Sequence, residues 1–174
     1  MEIKYFDEKG QILEDLFSEK AEEIVKELIK KRDDKECNDF KFEFKFNKDL
    51  NKKLLHYQCN NGEWDVNCPR NKRRVKKNLS YSQIRKFYDE VLNFKAMLDN
   101  GKSFREILPY FKMLKAKANV AFERDVINCN FKEFIDKNVD YVTKPKNIEE
   151  KEKRFNVFVT FFEAVVAYSK GKIN

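Results

Sequence analysis

The chain has 174 residues, with 37 lysines and arginines against 30 aspartates and glutamates, a formal net charge of +7. This length suffices for one domain with a hydrophobic core, and the 17 phenylalanines beside four glycines and three prolines favour helices. Charged residues among the first twenty positions and the lack of a long apolar run predict neither a signal peptide nor a membrane-spanning helix, so we expect a cytoplasmic protein with no membrane contact.

The first predicted element is a helix over residues 12–31. Its apolar residues recur at helical spacing, acidic residues crowd its start, and basic residues crowd its end, as the helix dipole favours. Residues 40–46 then alternate phenylalanine with charged residues. That period of two predicts either a short strand or an extended flap without a partner strand, and the sequence does not choose between them.

Residues 33–78 predict a loop-rich insertion that ends in a basic arm, within a single helical domain spanning 1–174. Three cysteines lie near the single histidine, in the order Cys37, His56, Cys59 and Cys68. These side chains suit zinc, but their spacing contains no compact C-x2-C pair. The sequence favours reduced thiols and an exposed histidine over a zinc site, and we expect no cofactor.

The basic character of the chain is concentrated in one window, residues 66–88. It holds eight basic residues and no acidic one, and without it 29 basic residues would face 30 acidic ones. Local excess charge of this kind is typical of a site for a polyanion. The arm contributes four candidate phosphate contacts from charge alone: Arg73, Arg74, Lys76 and Lys77.

A helix is predicted to start where the arm ends. Ser80 and Gln83 have the spacing of a capping box, and Gly101 supplies the stop. A second capping box, Ser103 with Glu106, predicts a short helix, after which Pro109 begins a new one over residues 109–125.

Two more helices complete the predicted fold. Asn130, with Glu133 three residues later, caps a segment that Lys144 and Pro145 end. Asn147 opens the last helix, which is apolar on most sides and is therefore expected to be the most buried. The fold class is all-α, a bundle of about five helices, with the insertion holding at most one short strand.

The helix over 109–125 carries an unusual arc. Met113, Lys117, Val120 and Arg124 lie within a narrow angle at 100° per residue, with Tyr110 and Ala121 at its border. The two basic residues suit phosphate, but long basic side chains also snorkel past a core or pair with acidic residues of neighbouring helices. The arc alone favours this structural interpretation.

Catalytic sets are not evident. One histidine provides no histidine-based acid–base pair, no cysteine comes with a second histidine, and no D-x-D metal motif occurs. We expect no enzymatic activity.

Three segments resemble one known family. LSYSQIRKFYDEV at 79–91, LPYFKMLKAKANVAFERD at 108–125 and FFEAVVAYSKGK at 161–172 are similar, in order and spacing, to the small subunit of the type III-A (Csm-type) CRISPR effector complex. The resemblance covers residues 79–172. The segment 33–78 resembles nothing in that family, and Phe122 stands where members often have tyrosine.

The resemblance implies a non-catalytic helical subunit of a CRISPR interference complex. Copies of it would stack along the effector beside the backbone and large subunits, lining the groove for guide RNA paired to target RNA. Contacts to phosphate and sugar would suit any guide sequence. By position, the residues implied to bind RNA are Arg85, Lys86, Lys115, Lys117 and Arg124.

Two alternatives stay open at this point. Besides the CRISPR subunit, the sequence is compatible with a stand-alone basic helical protein that binds nucleic acid, and with a small zinc-binding or catalytic module built on residues 33–78. Metal content would distinguish the second from a CRISPR subunit, and co-purified guide RNA would distinguish the first.

Overall fold

Five helices follow one another in the computed structural model, which describes residues 3–29 and 79–173. They are α1 (Glu19–Ile29), α2 (Tyr81–Asp99), α3 (Phe104–Glu123), α4 (Cys129–Thr143) and α5 (Ile148–Ser169). Within the described residues, β structure is limited to two isolated bridges. The all-α prediction is confirmed. The run 40–46 and the insertion 33–78 lie outside the described residues, so the strand and the insertion remain predictions.

The first helix begins later than predicted, at Glu19 rather than at residue 12. The preceding residues form turns, one of them closed by Leu16 N–H donating to Leu13 C=O at 3.1 Å. In an earlier turn, Asp7 accepts hydrogen bonds from the backbone N–H groups of Lys9 (2.9 Å) and Gln11 (2.8 Å). This turn folds the chain back so that Leu13 N–H donates to Tyr5 C=O at 2.9 Å. Of the residues in the predicted apolar stripe, Leu16 is therefore buried from a turn and Ile12 is 45% exposed, while those from Ala21 onward lie on α1.

Tyr5 anchors this N-terminal segment to the bundle. Its side chain is fully buried, and its hydroxyl donates to Oδ1 of the buried Asn138 on α4. The Asn138 Nδ2 group donates to Phe134 C=O at 2.7 Å, so both ends of the amide are satisfied. Burial, with a smaller contribution from Tyr141, raises the pKa of the Tyr5 phenol well above its ordinary value of 10.0.

A short turn joins α2 and α3 into a hairpin. The predicted capping box at the start of α2 is confirmed, with Ser80 N–H donating to Gln83 Oε1 at 2.8 Å. Gly101 ends α2 with φ of 89°, donating to Leu98 C=O while Lys102 N–H donates to Met97 C=O. This is a Schellman motif, and it sets the register between the two helices.

One uninterrupted helix replaces the two predicted around Pro109. Pro109 is the sixth residue of α3, and the helix continues to Glu123. A proline removes one helical hydrogen bond, here to the carbonyl of Arg105. Both residues are exposed, so water can satisfy that carbonyl.

The start of α4 also differs from the prediction. Asn128, not Asn130, is the N-cap, since its side chain accepts from Phe131 N–H at 2.9 Å. Asn130 instead lies inside the helix and donates its side-chain amide to Glu27 C=O at 2.7 Å. That long-range contact ties α4 to α1.

The last helix is the central one, as predicted. Asn147 caps α5, and nine of its residues are buried. Two of its phenylalanines meet other helices edge-on: the ring centres of Phe155 and Phe111 on α3 are 5.2 Å apart, and so are those of Phe162 and Phe134 on α4. Each buried aromatic of this kind contributes on the order of 2 kcal/mol. No helix among the described residues is both long enough and apolar enough for a membrane span.

Candidate nucleic-acid interface

The α2–α3 hairpin aligns residues from the two helices in pairs. Glu90 on α2 forms an ion pair with Lys117 on α3, and nearer the turn Met97 and Tyr110 line one pocket. The two pairs are seven residues apart on each helix, as antiparallel packing requires. The same step in the other direction places Arg124 level with Gln83 in the first turn of α2, three residues before Lys86.

These positions line one surface, which we call the α2–α3 face and on which all residues are exposed except the half-buried Glu90 and Met97. At 1.5 Å per residue its three levels are about 10 Å apart, running from the turn to the far end of the hairpin. It consists of Lys86, Glu90, Met97, Tyr110, Met113, Lys117, Val120 and Arg124.

The arc predicted on α3 lies on this face and not over the core. Met113 is 52% exposed, Val120 48% and the Lys117 side chain 51%. The core side of α3 is made by other residues: Phe104, Ile107, Phe111, Leu114 and Ala118. Lys117 therefore does not snorkel past the core, but the expected pairing with an acidic residue of a neighbouring helix is confirmed by Glu90.

Lys115 lies on the far side of α3 from Lys117. Two residues along a helix turn it by 200°, and Lys115 faces α4, where its ammonium contacts both oxygens of Asp140 at 2.7 and 2.8 Å. The candidate RNA-binding residues Lys115 and Lys117 therefore lie on opposite sides of α3, and an RNA bound on one side cannot contact both.

Arg85 and Lys86 also point in different directions. Arg85 Nε contacts Asp89 Oδ1 at 2.9 Å, and the guanidinium carbon lies 6.0 Å from the centre of the Tyr88 ring. The hydrogen bond to Asp89, with a smaller one involving Tyr81, raises the pKa of Arg85 above its ordinary value. Lys86 is exposed one residue further round the helix, on the α2–α3 face.

The face carries unpaired positive charge at one end. Within residues 3–29 and 79–173, Lys86 and Arg124 have no ion-pair partner. Lys117 and Arg85 have one each, but exposed pairs are worth only about 0.2–1 kcal/mol. A phosphate can compete for such a cation, and a lysine held by one carboxylate still has N–H donors to offer.

Several predicted residues cannot be placed. Arg73, Arg74, Lys76 and Lys77 of the arm and the Cys37, His56, Cys59 and Cys68 set lie outside the described residues. Among the residues that are described, no group of three or more metal-ligating side chains occurs. Cys129, the single cysteine in that part of the chain, is disulfide-bonded.

Two features of the face were missed at the level of sequence. The first is Glu90, which partly neutralises Lys117; the second is the pocket beside Tyr110. Both depend on the register between α2 and α3. The short connection around Gly101, which implies antiparallel neighbours, was the available signal.

The matched family supports the resemblance drawn from the three segments. The family model described as Csm2 Type III-A matches residues 70–172, more than half of the chain, including the basic arm from residue 70 onward. No curated protein and no solved structure matches the chain. The matched range contains the whole α2–α3 face and all of α4 and α5. The chain therefore belongs to the Csm2 family of type III-A CRISPR small subunits.

Proposed function

We propose that this subunit is a non-catalytic clamp whose α2–α3 face contacts the guide RNA–target RNA duplex through phosphate and sugar. The observation that carries the proposal is the alignment of Lys86, Lys117 and Arg124 on one exposed face. Cations about 10 Å apart along a helix suit a line of phosphates, and such contacts hold any sequence equally.

The arm residues Arg73, Arg74, Lys76 and Lys77 belong to the proposal through charge and chain position. The arm leads directly into Ser80 and the start of α2, at the same end of the hairpin as Lys86 and Arg124. We infer that the arm extends the basic end of the face. Arg85, at the edge of the face, would contribute after exchange of its Asp89 partner.

The partners follow from this role. The family places the chain in a type III-A complex with other subunits. We infer that copies of the chain line the duplex groove beside backbone and large subunits, each copy covering few phosphates. A single free copy would then bind RNA weakly, because affinity grows with the number of phosphates neutralised.

Substitution on the two sides of α3 tests the proposal. Lys117→Ala and Arg124→Ala should weaken binding of guide–target duplexes by a similar factor for every RNA sequence, as measured by fluorescence anisotropy. Lys115→Ala is the matched control, since it removes an ion-paired lysine from the same helix on the opposite side. Base readout would instead add sequence-dependent penalties of roughly 1–3 kcal/mol.

Three outcomes would overturn the clamp. They are losses that depend on sequence, an equal loss in Lys115→Ala, or metal-dependent RNA cleavage that Lys117→Ala abolishes. Thermal unfolding of each variant separates binding from folding, because residues that only support the core would lower stability and leave the affinity of folded molecules unchanged.

A further inference from the structure

A pocket of about 280 Å³ lies at the turn end of the α2–α3 face. It is lined by Met97, Lys102, Glu106, Ile107 and Tyr110. Ile107 is 1% exposed and forms an apolar base, while Tyr110 is 61% exposed, more than any other large hydrophobic side chain among the described residues. The pocket therefore combines a solvent-facing aromatic ring with a fixed apolar surface.

The charged groups at the rim differ in how free they are. Lys102 is exposed in the turn. The Glu106 carboxylate is held at the start of α3, accepting from Ser103 N–H at 3.0 Å and from the Ser103 hydroxyl at 2.7 Å. These hydrogen bonds lower the pKa of Glu106, so its charge is committed to capping the helix. Lys102 supplies the cation that can meet a ligand at this rim.

Tyr110 is in line with the two cations of α3. Tyr110, Lys117 and Arg124 are each seven residues apart, which is two helical turns with a drift of only about 20°. An RNA chain whose phosphates follow Arg124 and Lys117 would therefore reach Tyr110 next. An aromatic ring at the end of a cationic track is the arrangement by which proteins stack nucleobases.

We propose that Tyr110 is a stacking platform for an unpaired nucleobase of the bound RNA, with Met97 beside the ring and Lys102 on the adjoining phosphate. This inference rests on the proposed function, because it uses the same RNA path. The base must be unpaired, since a base inside a duplex is already stacked on both faces. Stacking needs no particular base, which agrees with binding that is independent of sequence.

The test uses the full-length chain and a guide–target duplex with a single-stranded extension containing 2-aminopurine, a fluorescent adenine analogue that stacking quenches. The wild-type chain at saturating concentration should quench the probe. Tyr110→Phe keeps the ring and should quench equally. Tyr110→Leu keeps an apolar side chain without a ring, and should lose the quenching and bind the extended RNA about fivefold or more weakly.

The different variants distinguish the stacking platform from the proposed clamp. Lys117→Ala should weaken binding yet quench fully once saturated. If Lys117→Ala and Arg124→Ala bind RNA with normal affinity while quenching still depends on Tyr110, the proposed clamp is refuted and the stacking platform is supported. Full quenching by Tyr110→Leu, or none by Tyr110→Phe or the wild-type chain, would overturn the platform. If Tyr110→Leu quenches normally but assembles poorly with the other subunits, the pocket contacts protein instead of RNA, and the stacking platform is refuted.

Discussion

Removing the charge of Glu90 should strengthen RNA binding. Glu90 is 25% exposed, pairs with Lys117 and places a carboxylate beside the proposed path of the phosphates. In Glu90→Gln the Lys117 ammonium no longer has to leave a carboxylate before it can contact a phosphate. An exposed ion pair is worth about 0.2–1 kcal/mol, so affinity for a guide–target duplex should rise about 1.4- to 5-fold.

Fluorescence anisotropy with a labelled duplex at two salt concentrations measures this gain. The gain should shrink at the higher concentration, because salt screens exposed charges. Asp140→Asn is the matched control, since it makes the same change in net charge but releases Lys115 on the opposite side of α3. We expect that variant to bind RNA as the wild-type chain does.

An unchanged affinity in Glu90→Gln would contradict this prediction, because Lys117 would then not face phosphate. The prediction also fails if Asp140→Asn gives the same gain, which would indicate a general effect of net charge. Combining Glu90→Gln with Lys117→Ala should abolish the gain, since the freed ammonium is then absent.

Two further predictions concern stability and the arm. Tyr5→Phe leaves the buried Asn138 Oδ1 without its donor and should cost about 1–3 kcal/mol in thermal or chemical unfolding; an unchanged midpoint would contradict the anchoring role. Because burial raises the pKa of Tyr5, the stability that it gives is complete below pH 10.0 and is lost as pH rises above that value, so Tyr5→Phe should also flatten the alkaline loss of stability. Neutralising the four basic residues of the arm should reduce the slope of log affinity against log salt for single-stranded RNA by up to about three units, at roughly 0.7 per contact, and an unchanged slope would mean that the arm contacts no phosphate. The residues changed are Arg73, Arg74, Lys76 and Lys77.

Local signals predicted much of the fold correctly. Ser80, Gly101 and Asn147 mark element ends because a cap or a positive φ is decided within a few residues of chain. The burial of α5 follows from apolar residues on most of its sides. The arc on α3 was also predicted from helical spacing alone, although the sequence favoured a structural role for its basic residues.

Two of the errors arose where a distant partner helps to decide the structure. The stretch before Glu19 has helical spacing, but the Asp7 turn and the buried Tyr5 hold it in another conformation. Asn130 is of a residue type that often caps helices, yet its side-chain amide donates to the Glu27 carbonyl on α1. The Asp7 turn is local, but the Tyr5–Asn138 and Asn130–Glu27 contacts span more than a hundred residues and leave no local trace in the sequence.

The candidate site was only partly predictable for the same reason. Spacing singled out Lys117 and Arg124, the basic window and the family resemblance both pointed to Arg85 and Lys86, and the resemblance alone added Lys115. Only the packing of α3 between α2 and α4 shows that Lys115 lies on the opposite side from Lys117. The partner of each lysine is set by that packing and by no local pattern.

Lysine reactivity in the presence and absence of RNA tests most directly which surface meets the duplex. The free amines of the full-length chain are acetylated with and without a guide–target duplex, and each site is quantified by mass spectrometry. Lys86 and Lys117 should lose reactivity when RNA is bound, while Lys115 and Lys172, ion-paired on other surfaces, should react as before. Protection of Lys115 without Lys117, or equal protection of all four, would contradict RNA binding by the α2–α3 face.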